Sequence, residues 1–402
     1  MRILTFTSLF PDTTRPNWGV YIYQRMLHVS RRPGNSVTAI TPVPYAPFWL
    51  PGKTARGFRA IPAVEQYGEI LIYHPRYLTL PKIGTAVQGL LMFLCCYPLI
   101  RKLASQGIDC IDAHFVYPDG FAAVLAGKLL GIPVIASARG TDINLYPTYA
   151  TVRPFLKWTV RHAHGLIGVC TALCDIMVEL GAPRDHVKTI GNGVDSNRFH
   201  ALDPQTVRSQ LGIPAGSRII LAVGTLIPRK GYHLLIPAIA ELKQRGLSVR
   251  LYIAGEGDYR PTLEQQVRRL GLDDDVVFLG ALPNDRLKEW YSAADVSCLA
   301  SSREGWANVL LESMACGTPV VATRLWGTPE VVVSDKVGLL VEQNTASIAD
   351  GLYSALTRPW DRAFIAASAQ KRSWEVVATE VEEWINQRAG LETPVPAPVT
   401  RS

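Results

Sequence analysis

Short apolar runs, each followed by turn residues and then by helical spacing, recur twelve times along this chain. In the first half they fall at 3–7, 37–41, 108–113, 133–138, 166–170 and 187–190; in the second at 219–224, 249–254, 276–279, 296–299, 319–322 and 339–341. The runs are apolar almost throughout and do not alternate with polar residues. That is the pattern of strands buried on both faces, hence of parallel sheets layered between helices. The repetition predicts an α/β protein with two doubly wound, Rossmann-like sheets. At 402 residues the chain also exceeds the ~250–300 at which a single core stops growing, which predicts two domains.

The join is expected at 192–205, where Asn192-Gly193-Val194-Asp195 and Asp203-Pro204 cluster turn residues between the two sets of strands. This places one domain at 1–195 and the second at 196–369. A helix at about 370–388, carrying Trp374, Val377, Val381 and Trp384, follows, and the Pro-rich end at 389–402 is expected to be disordered.

Charged residues make up 19% and hydrophobic ones 48%, which excludes a disordered chain or a coiled coil. The net charge of +7 is uneven: residues 1–190 hold 19 Lys/Arg against 10 Asp/Glu, and the remainder is slightly acidic. The asymmetry suggests an anionic partner, nucleic acid or a membrane surface. The basic surplus lacks aromatic-interleaved motifs, which argues against nucleic acid. The apolar stretch 86–100 (AVQGLLMFLCCYPLI) is shorter than the ~18–20 residues of a bilayer span. It is read as a buried helix or as a patch lying on a membrane, with Lys82 before it and Arg101-Lys102 after it at the head groups. Seven Cys without a spacing ladder predict reduced thiols in a cytosolic protein, with no zinc site. The opening MRILTF reads as a first buried strand rather than a signal peptide.

In doubly wound sheets ligands gather at the carboxyl ends of strands, so the loops there are the candidates. After the first strand, Gly19 stands at a helix start, where backbone amides and the dipole favour an anion. After 219–224 comes Gly224 and then Arg229-Lys230, two cations placed to neutralise a diphosphate. Gly255 and Gly257 form a tight turn after the next strand. They lack the third glycine of a dinucleotide fingerprint. After 296–299 the stretch Glu304-Gly305-Trp306-Ala307-Asn308-Val309-Leu310-Leu311-Glu312 offers two carboxylates separated by seven residues. Glu304 lies in the loop or first turn and Glu312 two turns into a helix, on the face of Asn308. The amides of residues 305–309 suit sugar hydroxyls or phosphate, and Glu312 suits the hydroxyls of a ribose. Asp273-Asp274-Asp275 sits at the amino end of a strand, the wrong end for metal-assisted transfer. The His residues do not cluster, so neither a metal nor a Ser-His-Asp triad is expected.

These residues resemble the signature of retaining glycosyltransferases of family 4, which have the GT-B fold. The likeness runs from Glu304–Glu312 through MACGTPVVAT and WGTPEVV, and takes in 224–231, Asn192–Asp195 with Phe199, and SAADV at 292–296. DAHFVYPDG at 112–120 and ARGTDIN at 138–144 look like the branch of the teichuronic acid and exopolysaccharide transferases. The resemblance covers nearly all of 1–386. It implies two Rossmann-like domains facing across a cleft, with the C-terminal helix crossing back to the first. It implies a nucleoside-diphosphate sugar donor and a saccharide acceptor, with no cofactor. By that likeness Arg229 and Lys230 steady the departing diphosphate, Glu304 and the amides after it hold the donor sugar, Glu312 holds the ribose, and the Gly19 amide meets phosphate. His114, Asp119, Arg139 and Asp142 then belong to the acceptor or sugar side. One departure stands out: many members carry His-Gly where this chain has Arg139-Gly140, and Arg139 suits a carboxylate or phosphate instead.

The expected activity is therefore metal-independent transfer of a sugar, with retention, to a lipid-linked saccharide in surface or exopolysaccharide synthesis. The expected location is cytoplasmic, at the inner face of the membrane. A nucleotide-sugar 2-epimerase of the same fold and a non-catalytic nucleotide-sugar-binding scaffold are the alternatives.

Overall fold

The computed structural model describes residues 1–49, 51–79, 84–214 and 216–391. Lys82 and, from residue 392 on, the Pro-rich tail lie outside the described residues. The chain divides into two compact units, one of Met1–Asn192 with the segment from Trp374 onward, the other of Gly193–Ser373.

The first unit contains β1 (Arg2–Phe6), β2 (Ser36–Ile40), β3 (Val43–Pro44), β4 (Val64–Tyr67), β5 (Ile70–Tyr73), β6 (Arg76–Tyr77), β7 (Cys110–His114), β8 (Val134–Ala138), β9 (Gly165–Gly168) and β10 (Val187–Thr189). Its main sheet has the order β10-β9-β8-β7-β1-β2-β5-β4, and β3 and β6 form a separate parallel pair. Every neighbour in the main sheet is parallel except β4, which turns back on β5. The topology reverses between β1 and β7, so the crevice beyond their carboxyl ends is the natural binding point.

On one face of this sheet Ile3, Val37, Cys110 and Ile135 pack against the helix Val20–Ser30 and the helix Trp374–Ala389, which brings Trp374, Val377, Val381 and Trp384 into the core. The alternate strand residues Val134 and Ala136 meet the helix Phe121–Leu130 on the other face: a Cβ added to Gly127 would lie 2.3 Å from Val134 Cγ2. The apolar stretch at 86–100 is the centre of a 21-residue helix, Gly84–Ala104, longer than its apolar run suggested. Met92, Phe93, Cys96 and Ile100 are buried and Leu90 and Leu94 exposed, so it is neither fully a core helix nor fully a surface one.

The second unit contains β11 (Arg218–Val223), β12 (Val249–Ala254), β13 (Val276–Gly280), β14 (Val296–Leu299), β15 (Val320–Thr323) and β16 (Gly338–Val341). All pairs are parallel, in the order β13-β12-β11-β14-β15-β16. Numbered from β11, this is the 3-2-1-4-5-6 order of a dinucleotide-type sheet, with its switch point between β11 and β14. Two apolar clusters, one on each sheet face, hold it: Leu221 and Val320 belong to one, Ile220 and Val321 to the other.

All twelve expected strands are present. The four additional strands, β3 to β6, break the strand-then-helix rhythm, since β4 and β5 form a hairpin. Gly68, at φ 57°, takes the left-handed turn between them. The seven cysteines form no disulfide.

Candidate active site

In the second unit the switch point brings the loops after β11 and β14 together. Pro228–Lys230 is a single turn of tight helix ended by Gly231 at φ 73°. A Cβ on Gly231 would lie 2.0 Å from the Ala300 carbonyl oxygen, so only glycine lets this corner press on the end of β14. The Ser302 amide donates to the Arg229 carbonyl at 2.9 Å and fastens the two loops. Lys230 Nζ then donates to Glu304 Oε1 at 2.7 Å, and Arg229 Nη1 stands 3.7 Å from the same oxygen while donating to the Arg303 carbonyl. Two cations share one carboxylate, which leaves the corner a surplus of positive charge. Arg229 is the more open, with 38% of its side chain exposed against 15% for Lys230.

Gly224, Gly255 and Gly257 serve chain packing here. Cβ atoms on Gly255 and Gly257 would meet the Gly224 and Leu226 carbonyl oxygens at 2.0 and 2.3 Å. The Leu226 amide donates to the Glu256 carbonyl, and Tyr232 Oη donates to the Gly224 carbonyl, both at 2.9 Å. The glycines set the Arg229–Lys230 corner by letting the β11 and β12 loops lie against each other.

The segment Gly305–Ala307 leads into the helix Asn308–Ala315. Glu304 is therefore in the loop, and Glu312 stands one turn into the helix rather than two. The Asn308 amide donates to the Trp306 carbonyl at 3.1 Å, which turns it into the loop. Trp306 Nε1 and Ser301 Oγ are buried and, among the described residues, find no hydrogen-bond partner. Glu312 accepts from Tyr291 Oη at 3.1 Å. Burial pushes its carboxyl up to about 7, against the opposing pull of the Tyr291 hydrogen bond and the Arg198 charge. The residue remains partly accessible. Asp275, by contrast, sits at the amino end of β13 in an ion pair with Lys243.

In the first unit Gly19 begins its helix at φ 68°, and a Cβ there would lie 2.4 Å from the Leu9 carbonyl oxygen, so the helix start is pressed against the loop after β1. That loop meets Asp119, which accepts from the Ser8 amide and, at 3.2 Å, from Ser8 Oγ. Burial pushes the Asp119 carboxyl up to about 7 despite these bonds. Asp142 accepts from the Val116 amide at 2.8 Å, the Gly140 amide at 2.9 Å and the Arg139 amide at 3.1 Å, so it braces the loops after β7 and β8.

Arg139, nearly buried, donates from Nη1 to Asn192 Oδ1 at 3.0 Å, and its Nη2 lies 2.7 Å from His114 Nδ1. Because a guanidinium only donates, His114 Nδ1 accepts and the ring proton sits on Nε2, 3.2 Å from Asp112 Oδ2. Burial, aided by the Arg139 charge and opposed by Asp112, draws the His114 pKa down to about 4. The Arg139 guanidinium also lies 5.5 Å over the Tyr21 ring. Arg25, fully buried, donates to Ser137 Oγ at 3.0 Å and to the Ile190 carbonyl. Sequence reasoning passed over Arg25, Asp112, Tyr291 and Ser8. The signal for Arg25 was a cation inside the apolar stripe Ile22, Met26 and Val29.

One unit with an all-parallel sheet in 3-2-1-4-5-6 order and a cation–carboxylate corner at its switch point, and one with a largely parallel sheet, are the two units of the GT-B class of glycosyltransferases. Residues 203–372 match the family model described as glycosyl transferases group 1, and residues 56–198 that described as glycosyltransferase family 4. An uncharacterised glycosyltransferase of Methanocaldococcus jannaschii is 36% identical over 338 residues, spanning 80% of this chain and 85% of its own. A Bacillus subtilis protein named as a teichuronic acid biosynthesis glycosyltransferase is 27% identical over 368 residues, 88% of each chain. Among solved structures, Anabaena HepE in complex with UDP superposes with a TM-score of 0.71 at 22% identity, covering 96% of this chain and 100% of that one. The chain belongs to the family 4 glycosyltransferases and has their GT-B fold.

Proposed function

We propose that this chain transfers a sugar from a nucleoside-diphosphate sugar to a lipid-linked saccharide, with retention of configuration and without a metal ion, in surface or exopolysaccharide synthesis. The observation that carries this reading is the contact of Lys230 and Arg229 with Glu304 at the β11/β14 switch point. The UDP complexes of HepE and the teichuronic and colanic acid names among the relatives favour a nucleotide-sugar donor and a polysaccharide product.

When the C1–O bond to the diphosphate breaks, negative charge grows on the β-phosphate. Arg229 and Lys230 are donors held at the switch point for that charge, and do the work a divalent cation does elsewhere. As Lys230 turns to the phosphate, Glu304 is released to accept hydroxyls of the donor sugar. The amides of 305–309 assist, and the Glu312 carboxylate takes the ribose hydroxyls. The Gly19 amide meets phosphate. His114, Asp119, Arg139 and Asp142 shape the sugar and acceptor side. The new C1–O bond forms on the face the diphosphate leaves, and the acceptor hydroxyl passes its proton to the departing phosphate oxygen.

A thermal-shift screen against UDP-, GDP-, ADP- and TDP-sugars identifies the donor, since a ligand of the folded state raises the midpoint. NMR of the product then gives the anomer. Lys230→Ala should lower kcat by roughly 10²-fold or more. Unchanged turnover in that variant removes Lys230 from the mechanism, and an inverted product removes retention. Conversion of donor with no acceptor present marks an epimerase instead.

A further inference from the structure

From Thr13 to Val64 the chain carries seven Lys/Arg and no Asp or Glu. Four of the seven are engaged within the fold. Arg25 is buried, Arg31 pairs with Glu69, Arg32 with Glu382, and Arg15 with the buried Asp12. The other three, Lys53, Arg56 and Arg59, stand exposed on the helix Lys53–Ala60, which follows β3 at the carboxyl end of β2. Arg59 donates to the Pro47 carbonyl at 2.9 Å. Among the described residues neither Lys53 nor Arg56 forms an ion pair. The helix is fastened from below: Ala55 is buried, and Arg76 of β6 donates to the Phe58 carbonyl at 2.8 Å and to that of Ile61.

The same region leaves aromatic rings in water. Phe48 and Trp49 are 84% and 68% exposed, with their rings edge to face at 5.1 Å, and Tyr45 and Trp18 are about half exposed. Trp18 is held in place from two sides. Its Nε1 donates to the Ser8 carbonyl at 3.3 Å, and the Arg15 guanidinium lies 5.4 Å from its ring and 5.8 Å from that of Phe58. Asp12 in turn fixes Arg15 by accepting from Nε and Nη2 at 2.9 and 2.7 Å. A line of aromatic residues thus leads from the loop after β1, through Arg15 and Phe58, to the segment that carries Phe48 and Trp49. Large rings left exposed side by side mark a binding surface.

We propose that this strip binds an acidic glycan, a linear chain of sugars bearing carboxylates, with sugar rings stacked on Trp18, Phe48 and Trp49 and carboxylates met by Lys53, Arg56 and Arg59. A sugar ring is a disc whose faces present C–H groups and whose rim carries hydroxyls, so it covers an aromatic face while its rim stays in water. The three cations recur every third residue and rise ~4.5 Å per step along the helix axis, about one sugar ring for each charge. Arg offers a planar fork that suits a carboxylate. A lipid surface would call for aliphatic residues among the rings, and the described residues of 45–60 include no Val, Ile, Leu or Met. The bases of a single-stranded nucleic acid could stack on the same rings. The continuity of the strip with a hydroxyl-binding loop favours the sugar chain.

That continuity runs through Ser8. Its carbonyl accepts from Trp18, and its amide and hydroxyl donate to Asp119 in the candidate site of this unit. The inference rests on the proposed saccharide acceptor and names its class. The sugar that receives the transfer lies by Asp119, and the sugars behind it run over Trp18 and along the carboxyl edge of β1 and β2. Each further ring on the strip adds affinity without touching the reacting atoms, so the strip selects a long acidic acceptor over a short or neutral one.

The test is calorimetric titration of the full chain with a galacturonic acid hexamer, with maltohexaose as the neutral chain and polyglutamate as an acid without sugar rings. The hexamer should bind more tightly than either, and salt should weaken it. Phe48→Ala with Trp49→Ala should weaken hexamer binding by roughly 10-fold or more. Lys53→Glu with Arg56→Glu should weaken it by roughly fivefold or more. All four side chains are exposed, so both variants should keep the native unfolding midpoint, which shows them folded. No binding of the hexamer, equal binding of maltohexaose or of polyglutamate, or variants that bind as the native chain does would each overturn the proposal. Tighter capture of homopolymeric RNA, or of phosphatidylglycerol vesicles, through Phe48 and Trp49 would overturn it as well. Donor binding and transfer to a monosaccharide acceptor are read in parallel. A chain that transfers but does not bind the hexamer sinks the glycan strip alone, and one that binds the hexamer but no nucleotide sugar sinks the transfer reading alone.

Discussion

Replacing Glu312 by Gln should make the protein more stable and its donor binding weaker, and the two effects should separate with pH. The carboxyl ionises near 4.5 in the unfolded chain, and burial pushes it up to about 7 in the folded one. Below pH 4.5 both states are protonated and nothing is lost. As pH rises through 7 the folded state must ionise a buried group, and the stability present at low pH is lost. At pH 8 the cost is at most about 3 kcal/mol, and less because Glu312 keeps some contact with water. Gln keeps an oxygen for Tyr291 Oη, which donates at 3.1 Å, and never ionises. Urea titrations from pH 5 to 8.5 should therefore show the native chain losing stability with rising pH while Glu312→Gln stays flatter. If ribose hydroxyls donate to the ionised carboxylate, each such bond contributes about 1.5–3 kcal/mol. The variant should then bind donor roughly 10- to 150-fold more weakly at pH 8, with a smaller gap at pH 6. Calorimetric titration measures this. Parallel stability curves for the two proteins would refute the burial argument, and equal donor affinity at pH 8 would refute the ribose assignment.

Gly231→Ala should destabilise the second unit by about 2 kcal/mol or more, because a side chain at φ 73° is strained and its Cβ would lie 2.0 Å from the Ala300 carbonyl oxygen; the urea midpoint reports the loss. Turnover should fall with it, since the same contact aims Arg229 and Lys230. His114, drawn down to about 4, contributes stability that is present above pH 6.5 and lost as pH falls toward 4. His114→Asn, whose Oδ1 takes the place of Nδ1 toward Arg139, should flatten that acid limb in a denaturation series, and an unchanged limb would assign the acid sensitivity to other groups.

The parallel sheets were legible because burial on both faces leaves a mark that few other structures leave, a run such as Ile219–Val223 with no polar residue to interrupt it. The loops after such runs were legible for the same reason: once 219–223 and 296–299 are strands, Arg229-Lys230 and Glu304 must lie near their carboxyl ends. What the sequence hid falls into two kinds. β4 is an edge strand whose residues Val64, Glu65, Gln66 and Tyr67 alternate in exposure and need no apolar run. Buried polar partners such as Arg25 and Tyr291 carry no local pattern, because the contact that fixes each is made more than twenty residues away in sequence. The outward stripe of Gly84–Ala104 was hidden differently, since an apolar run shows that a helix is greasy but not which of its sides is already satisfied.

The carboxyl groups sort by how each is neutralised. Glu304 is held by two cations, and on the proposed mechanism Lys230 exchanges it for phosphate. Asp119 and Glu312 are buried with hydroxyl and amide donors and, among the described residues, form no ion pair. Both are pushed up to about 7. An unpaired buried carboxyl works against folding, and a chain built for stability alone would have met it with an arginine or replaced it with an amide. Arg139 shows that this fold accepts a buried charge that is met: its guanidinium donates to Asn192 and His114, and His114 in turn faces Asp112. Asp119 and Glu312 escape such pairing at the carboxyl ends of two different sheets, each beside a switch point. On the proposed mechanism each is thereby left able to accept hydroxyls, since a carboxylate already holding a guanidinium has little left to offer a sugar.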